Sequence, residues 1–268
     1  MGVVVAAGLV AADVAADVAP LVRRLREGLE ERPVVVSSGY RAIDSLLPDG
    51  GVRRGSLVEW LLPGVEAASG GISLACAVAV RGLHASANGP GASQRVVIIV
   101  DRQGRFHPPA VFPWMGLYPL TGGREYRCDR SGCRLVVVRP STDDDETWAI
   151  DQSLRCSGVK AVLAWPRRIH PTAMRRWQLA ARSSGSVGLI ARPIADRREP
   201  SWAHVRLVVS PVAGGGAGVR GFRLSTVAGP IDFGERSATV VIDAAALEVS
   251  GAFETRRMAR ERVQCHAS

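Results

Sequence analysis

The sequence predicts an α/β fold: a mostly parallel, twisted sheet with helices on both faces and antiparallel strands toward the C-terminus. Three observations carry this. Short, continuous apolar runs rich in β-branched residues recur at 95–101, 133–140, 159–166 and 186–193. Amphipathic helical patterns fill the gaps between them, the alternation expected of strands buried on both sides. After Pro193 the runs "HVRLVVSP", "GVRGFRLSTV" and "ATVVID" follow one another without helices, as antiparallel strands do.

Taken in order, residues 12–31 read as a helix with Leu21, Val22, Leu25 and Leu29 along one stripe, ended by Pro33. A short strand at 34–36 leads through "SSGYRAIDSLLPDGGVRRG" to the strand "SLVEWLL". A small-residue turn from Pro63 to Gly71 and an Ala-rich helix come next. Residues 143–157 predict a helix with acids from Asp143 to Glu146 on its first turn, and 171–184 a helix with Pro171 at its start. The chain accordingly divides into an N-terminal helical segment (1–33), a core (34–212), and C-terminal strands with a basic tail (213–268). The "AGGGAG" at 213–218 reads as a flexible connection. From Gly251 onward the tail is sparse in apolar residues, a composition compatible with disorder.

At 268 residues and 47% apolar content the chain has enough material for one substantial core plus an accessory piece. Its first twenty residues lack the basic start of a signal peptide and are interrupted by Asp13 and Asp17, so they read as a cytoplasmic N-terminus. No uncharged apolar run approaches the roughly 20 residues that span a bilayer. Five cysteines, odd in number and mostly scattered, make no disulfide framework. Cys128 and Cys133 flank "DRSG"; a two-ligand metal site or labile disulfide is weighed there against a hairpin with two buried thiols, which is preferred. The five histidines show no metal spacing and none adjoins a nucleophile motif.

Of 34 basic residues only Lys160 is lysine. From Arg155 to Arg223 thirteen basic residues stand against Asp196 and Glu199, a local balance of +11, so that with a total of +9 the remainder sums to −2. A basic excess confined to one segment suits a face for phosphate backbones.

"LLPGVEAASGGISLACAVAV", residues 61–80, has the strand, glycine turn and helix order that cradles nucleotide phosphates, but no lysine. With its lead-in, where Ser38, Gly39, Ile43, Asp44, Gly50, Gly51, Gly55 and Glu59 stand in the corresponding places, this stretch resembles the RecA core. The resemblance covers roughly 35–210, by pattern more than identity, and within RecA relatives is strongest to the ImuA family of translesion-synthesis accessory factors. It implies a RecA-like sheet and the ATPase determinants of that fold, which can be checked one at a time. Gly64, Ser69, Gly70, Gly71 and Ser73 form a vestigial phosphate loop, with Gly71 or Ile72 where lysine would neutralise β/γ-phosphate charge. Gln103 stands where the resemblance expects the water-activating glutamate, and glutamine is no general base. Trp165 falls at or near the magnesium-supporting carboxylate. These losses together predict a pseudo-ATPase with no catalytic residue, cofactor or metal, and a glycine loop kept as a tight strand-to-helix connection.

RecA relatives contact DNA through loops after two adjacent strands, which here are "PRRIHP" with Arg167 and Arg168, and "PIADRREPSW" with Arg197 and Arg198. Arg175, Arg176 and Trp177 follow on the intervening helix, where an aromatic can stack on a base. A merely solvated face, or protein partners bound through the same arginines, are the competing readings. RecA relatives also pack their N-terminal helix on a neighbouring subunit, making Leu21, Leu25 and Leu29 interface candidates.

By resemblance, then, the expected function is a non-catalytic, cytoplasmic adaptor of the damage response. It would join an ImuB-type polymerase relative and an error-prone replicative-type polymerase, with RecA and single-stranded DNA as further candidate partners and no membrane. A division inhibitor related to SulA is the first alternative. An ATP-dependent recombinase is the second and would need the missing lysine.

Overall fold

A computed structural model describes residues 34–63, 70–85, 95–106, 117–119, 125–128, 133–212, 219–228, 236–243 and 248–255. The chain divides into two units, Met1–Val34 and Val35–Ser268. The expected helix with Leu21, Leu25 and Leu29 lies outside the described residues, as do Gly64 and Ser69 of the glycine turn.

Strand β1 (Val35–Val36) pairs antiparallel with β2 (Val52–Arg53). Between them, Asp44 at the end of the short helix α1 (Arg41–Asp44) accepts the Ser38 amide at 2.7 Å and the Ser37 hydroxyl at 2.6 Å. The "SSGYRAID" signature is thus a self-closing turn. It leads into β3 (Leu57–Leu62), every residue of which is buried.

From there the predicted alternation holds. Helix α2 (Gly71–Ala85) is followed by β4 (Arg95–Val100), the antiparallel β5 (Leu117–Pro119) and β6 (Glu125–Cys128), and β7 (Cys133–Val138). Then come α3 (Asp143–Arg155), β8 (Val159–Ala164), α4 (Pro171–Ser184), β9 (Val187–Pro193), a 3-10 turn (Ile194–Arg198) and β10 (Val205–Val212). Local chemistry explains the helix ends: Thr142 and Asp145 form a capping box on α3. On α4, Pro171 occupies the first turn, where its missing N–H costs nothing, and Gly185 at φ 76° closes the other end.

β11 (Val219–Ala228), β12 (Arg236–Asp243) and β13 (Glu248–Thr255) complete an eleven-stranded sheet of order β13-β12-β11-β10-β3-β9-β8-β4-β7-β6-β5. The strands from β10 to β7 pair parallel, with antiparallel additions at both edges. One expectation changes here: Gly251–Thr255, assigned to the tail, belongs to β13. The strands on either side of 213–218 pair, with Val212 opposite Gly221. The Cys128–Cys133 stretch is a β6–β7 hairpin with Glu125 opposite Val136; the two thiols lie outside the described side chains.

Strand alternation splits the core. Val58, Trp60, Leu62, Val97, Ile99, Leu163 and Leu189 pack with α2, whereas Leu57, Val100, Val162, Ala164 and Ile190 pack under α3 and α4 with Ile150, Leu154, Met174 and Trp177. Each large side chain so buried contributes roughly 1.5–3 kcal/mol.

Candidate functional site

In a parallel sheet of this kind ligands are bound beyond the carboxyl ends of the strands. At that end of β3, the described part of the glycine loop is closed by apolar side chains. A Cβ on Gly70, whose φ is +71°, would lie 2.6 Å from the ring of Phe222 in β11, and one on Gly71 would lie 2.5 Å from Leu62. Gly70 holds a positive φ that favours glycine, and the buried Phe222 and Leu62 side chains pack closely against the two glycines. The first residues of α2, Gly71 to Leu74, bring no charge.

The strand register carries Trp60 opposite Ala191, and continues the β8–β9 and β4–β8 pairings to Trp165 and Asp101 at the strand ends. Trp60 and Trp165 are 1% and 0% exposed, and among the described residues neither indole N–H has a partner. Trp165 is part of the core.

Asp101 is also fully buried, but its oxygens are spent on the turn that follows: they accept the Arg105 and Phe106 amides, each at 2.9 Å. Arg139 approaches at 3.9 Å. The turn thus folded presents Gln103, whose two amide atoms are enclosed and unpartnered among the described residues. Burial pushes the neighbouring Cys76 thiol far up, with Asp101 adding to the effect, so this sulfur is held protonated.

Beside this turn, Glu146 of α3 is 1% exposed, unlike Asp143, Asp144 and Asp145 of the same first turn, which are exposed. Burial raises its pKa from 4.5 to about 7; Arg102 pulls it down, while Asp143 and Asp101 push it up. Arg102 is engaged by Asp143 at 2.7 Å, and Glu146 Oε1 has no hydrogen-bond partner among the described residues. Sequence reading placed Glu146 only as a helix-start acid. Its position four residues before the buried Ile150 marks it as lying on the core-facing stripe.

The basic segment is less available than its charge suggests. Arg192 and Arg206 are 4% and 7% exposed and close on Glu59, 0% exposed, at 3.0 Å and 2.5 Å. Arg192 also pairs with Asp196 at 3.1 Å and with Glu199, and Arg206 donates to the carbonyls of Asp196, Arg197 and Glu199. Two arginines therefore fix the 3-10 turn to the sheet rather than face a ligand. Arg155 and Arg176 both pair with Asp151, at 2.8 Å and 3.4 Å.

What is left free lies where the loops were expected. Arg167 and Arg168 follow β8, Arg197 and Arg198 follow β9, its parallel neighbour, and all four are exposed with no carboxylate partner among the described residues. Trp177 requires a correction: it is 0% exposed in the core beneath α3 and α4, its indole donating to the Thr147 carbonyl at 3.3 Å, and it cannot stack on a base. Its place on the apolar stripe with Ala173, Met174, Ala180 and Ala181 explains why. An exposed aromatic in contact with this helix is Trp202, 48% exposed, with the Arg175 guanidinium 4.2 Å from its ring centroid. Sequence reading missed it; the signal available was the polar setting of "EPSWAH".

Among the described residues no group of three or more His, Cys, Asp or Glu could hold a metal, and no helix is long and apolar enough to cross a membrane. Neither models of protein families nor curated protein sequences match this chain.

Proposed function

We propose that the protein is a non-catalytic adaptor with a RecA-like core, acting in damage-induced mutagenic translesion synthesis. It would bring together an ImuB-type polymerase relative, an error-prone replicative-type polymerase and RecA at damaged DNA. The family reading rests on the sequence pattern. It is supported by a parallel sheet in which the strand entering the glycine turn is central, and by antiparallel strands added after Val212.

The observation that carries the non-catalytic part is the packing at Gly70 and Gly71. Phe222 and Leu62 pack against these two glycines, and in this reading Gln103 and Trp165, at the positions where the resemblance expects a base and a metal-supporting carboxylate, supply neither. The contact surface in this reading is formed by Arg167 and Arg168 after β8 and by Arg197 and Arg198 on the 3-10 turn, which the Glu59–Arg192–Arg206 network fixes to the sheet.

The test is co-purification of the tagged chain from its own cells after DNA damage, with identification of the bound proteins. The adaptor reading expects a polymerase relative and a replicative-type polymerase, recovered in smaller amounts when the four arginines are replaced. Recovery of a cell-division protein with neither polymerase would overturn it in favour of the inhibitor reading.

A further inference from the structure

The two edges of the sheet are built differently. β5 has three residues and ends in Pro119, which cannot donate a ladder hydrogen bond, so that edge is blunt. β13 runs for eight residues, Glu248–Thr255, "EVSGAFET", with no proline, lysine or arginine. All eight pair with β12 on one side, and among the described residues no strand pairs with the other. An edge of that length, open among the described residues and with no proline, lysine or arginine to discourage pairing, is a template for another strand.

We infer that the occupant is a second copy of this chain, β13 pairing antiparallel with itself about a two-fold axis at Ala252. The strand is self-complementary in that register. Ala252 meets its own counterpart, Gly251 faces the second copy's Phe253, Ser250 faces Glu254, and Val249 faces Thr255. An aromatic opposite a glycine, a β-branched pair and a hydroxyl opposite a carboxylate are all favourable cross-strand neighbours. Centring the axis on Gly251 instead sets Glu248 against Glu254 twice, and like charges directly opposite are destabilising. Because the contact is isologous and the β5 edge is blunt, assembly closes at two copies.

Ala252, the residue on the axis, pairs with Thr239 of β12, and Thr239 lies outside the buried row of Ala238, Val240 and Ile242. The full chain is expected to sediment as a dimer at tens of micromolar. Ala252→Lys, which sets two ammonium groups on the axis, is expected to sediment as a monomer with an unchanged far-ultraviolet spectrum. Thr239→Lys, one strand further in, is expected to remain a dimer. Amide hydrogen exchange of the parent adds a reading free of substitutions: exchange across 248–255 should rise as the protein is diluted. A monomeric parent, a dimeric Ala252→Lys, or β13 exchange indifferent to concentration overturns the inference.

Discussion

Glu59 and Arg206 are direct cross-strand partners on adjacent parallel strands, and their side chains meet at 2.5 Å with both residues buried. Arg192 reaches the other Glu59 oxygen at 3.0 Å, so one buried carboxylate bridges two buried guanidinium groups, with Asp196 and Glu199 also pairing with Arg192. Replacing one member of a buried pair leaves the rest uncompensated, a loss of about 3–5 kcal/mol. Glu59→Ala is therefore expected to lose stability on that scale in chemical denaturation, and Arg197→Ala, on the exposed turn, to stay within about 0.5 kcal/mol of the parent. Equal midpoints for the two variants would show that the network does not hold the turn.

Much of the sheet was legible because its strands are continuous apolar runs separated by capped helices: α4 matches its predicted bounds, and β4, β7, β8 and β9 lie within theirs. What was hidden depends on long-range pairing. β5 is three residues long and β13 contains Gly251, so neither has a local signature, and each exists by pairing with a neighbour. Charge counting failed for a related reason. Net charge says nothing about which arginines are matched: inside apolar runs, Arg206 sits opposite the lone glutamate of "LVEWLL" and Arg192 two residues beyond its partner on the other neighbouring strand. Three charges embedded in three otherwise apolar strands were the available sign of a buried network.

The proposed pseudo-ATPase reading predicts no ATP turnover above background in the purified protein. Gly71→Lys is not expected to restore it, because Gln103 and Trp165 still lack carboxylates. It is also expected to lower the melting temperature, since its Cβ would enter 2.5 Å from Leu62. Overpacking of this kind costs roughly 1–3 kcal/mol. Turnover in the parent that disappears on changing Ser73 would contradict the assignment.

Glu146 predicts a dependence of stability on pH. Its folded pKa, about 7, lies above the ordinary 4.5, so the folded state favours the proton. Its contribution is fully present below pH 4.5 and is lost as pH rises through about 7. Glu146→Gln removes this term, and relative to the parent the variant should gain on the order of 1–3 kcal/mol between pH 5 and 8, at 1.36 kcal/mol per pKa unit. A difference between parent and variant that is flat across that range would show that the carboxylate is not carrying the effect.

Trp177 and Trp202 separate core from surface on the same face of the sheet. Trp177→Ala should destabilise the fold by about 3–5 kcal/mol, as removal of a fully buried tryptophan does. Trp202→Ala, at a half-exposed position where the Arg175 contact is lost, should cost about 0.5–1 kcal/mol. Thermal unfolding of the two variants distinguishes these roles, and comparable losses would mean that Trp202 also carries core packing.

The free arginines predict how single-stranded DNA is bound, if it is bound directly by this chain. Each neutralised phosphate releases a counterion, so affinity should fall steeply with salt, with a slope of about −0.7 per contact. Arg167, Arg168, Arg197 and Arg198 are exposed at the ends of the adjacent strands β8 and β9, and replacing all four with alanine should flatten the slope by roughly three. Stability should hardly change, because none of the four has a carboxylate partner among the described residues. Replacing Arg155 and Arg176 instead, which are already matched to Asp151, should leave the slope near that of the parent. Fluorescence anisotropy titrations at several salt concentrations read all three proteins. If both variants keep the parental slope, phosphate is not held by these loops, and their arginines are available to acidic surfaces of protein partners instead.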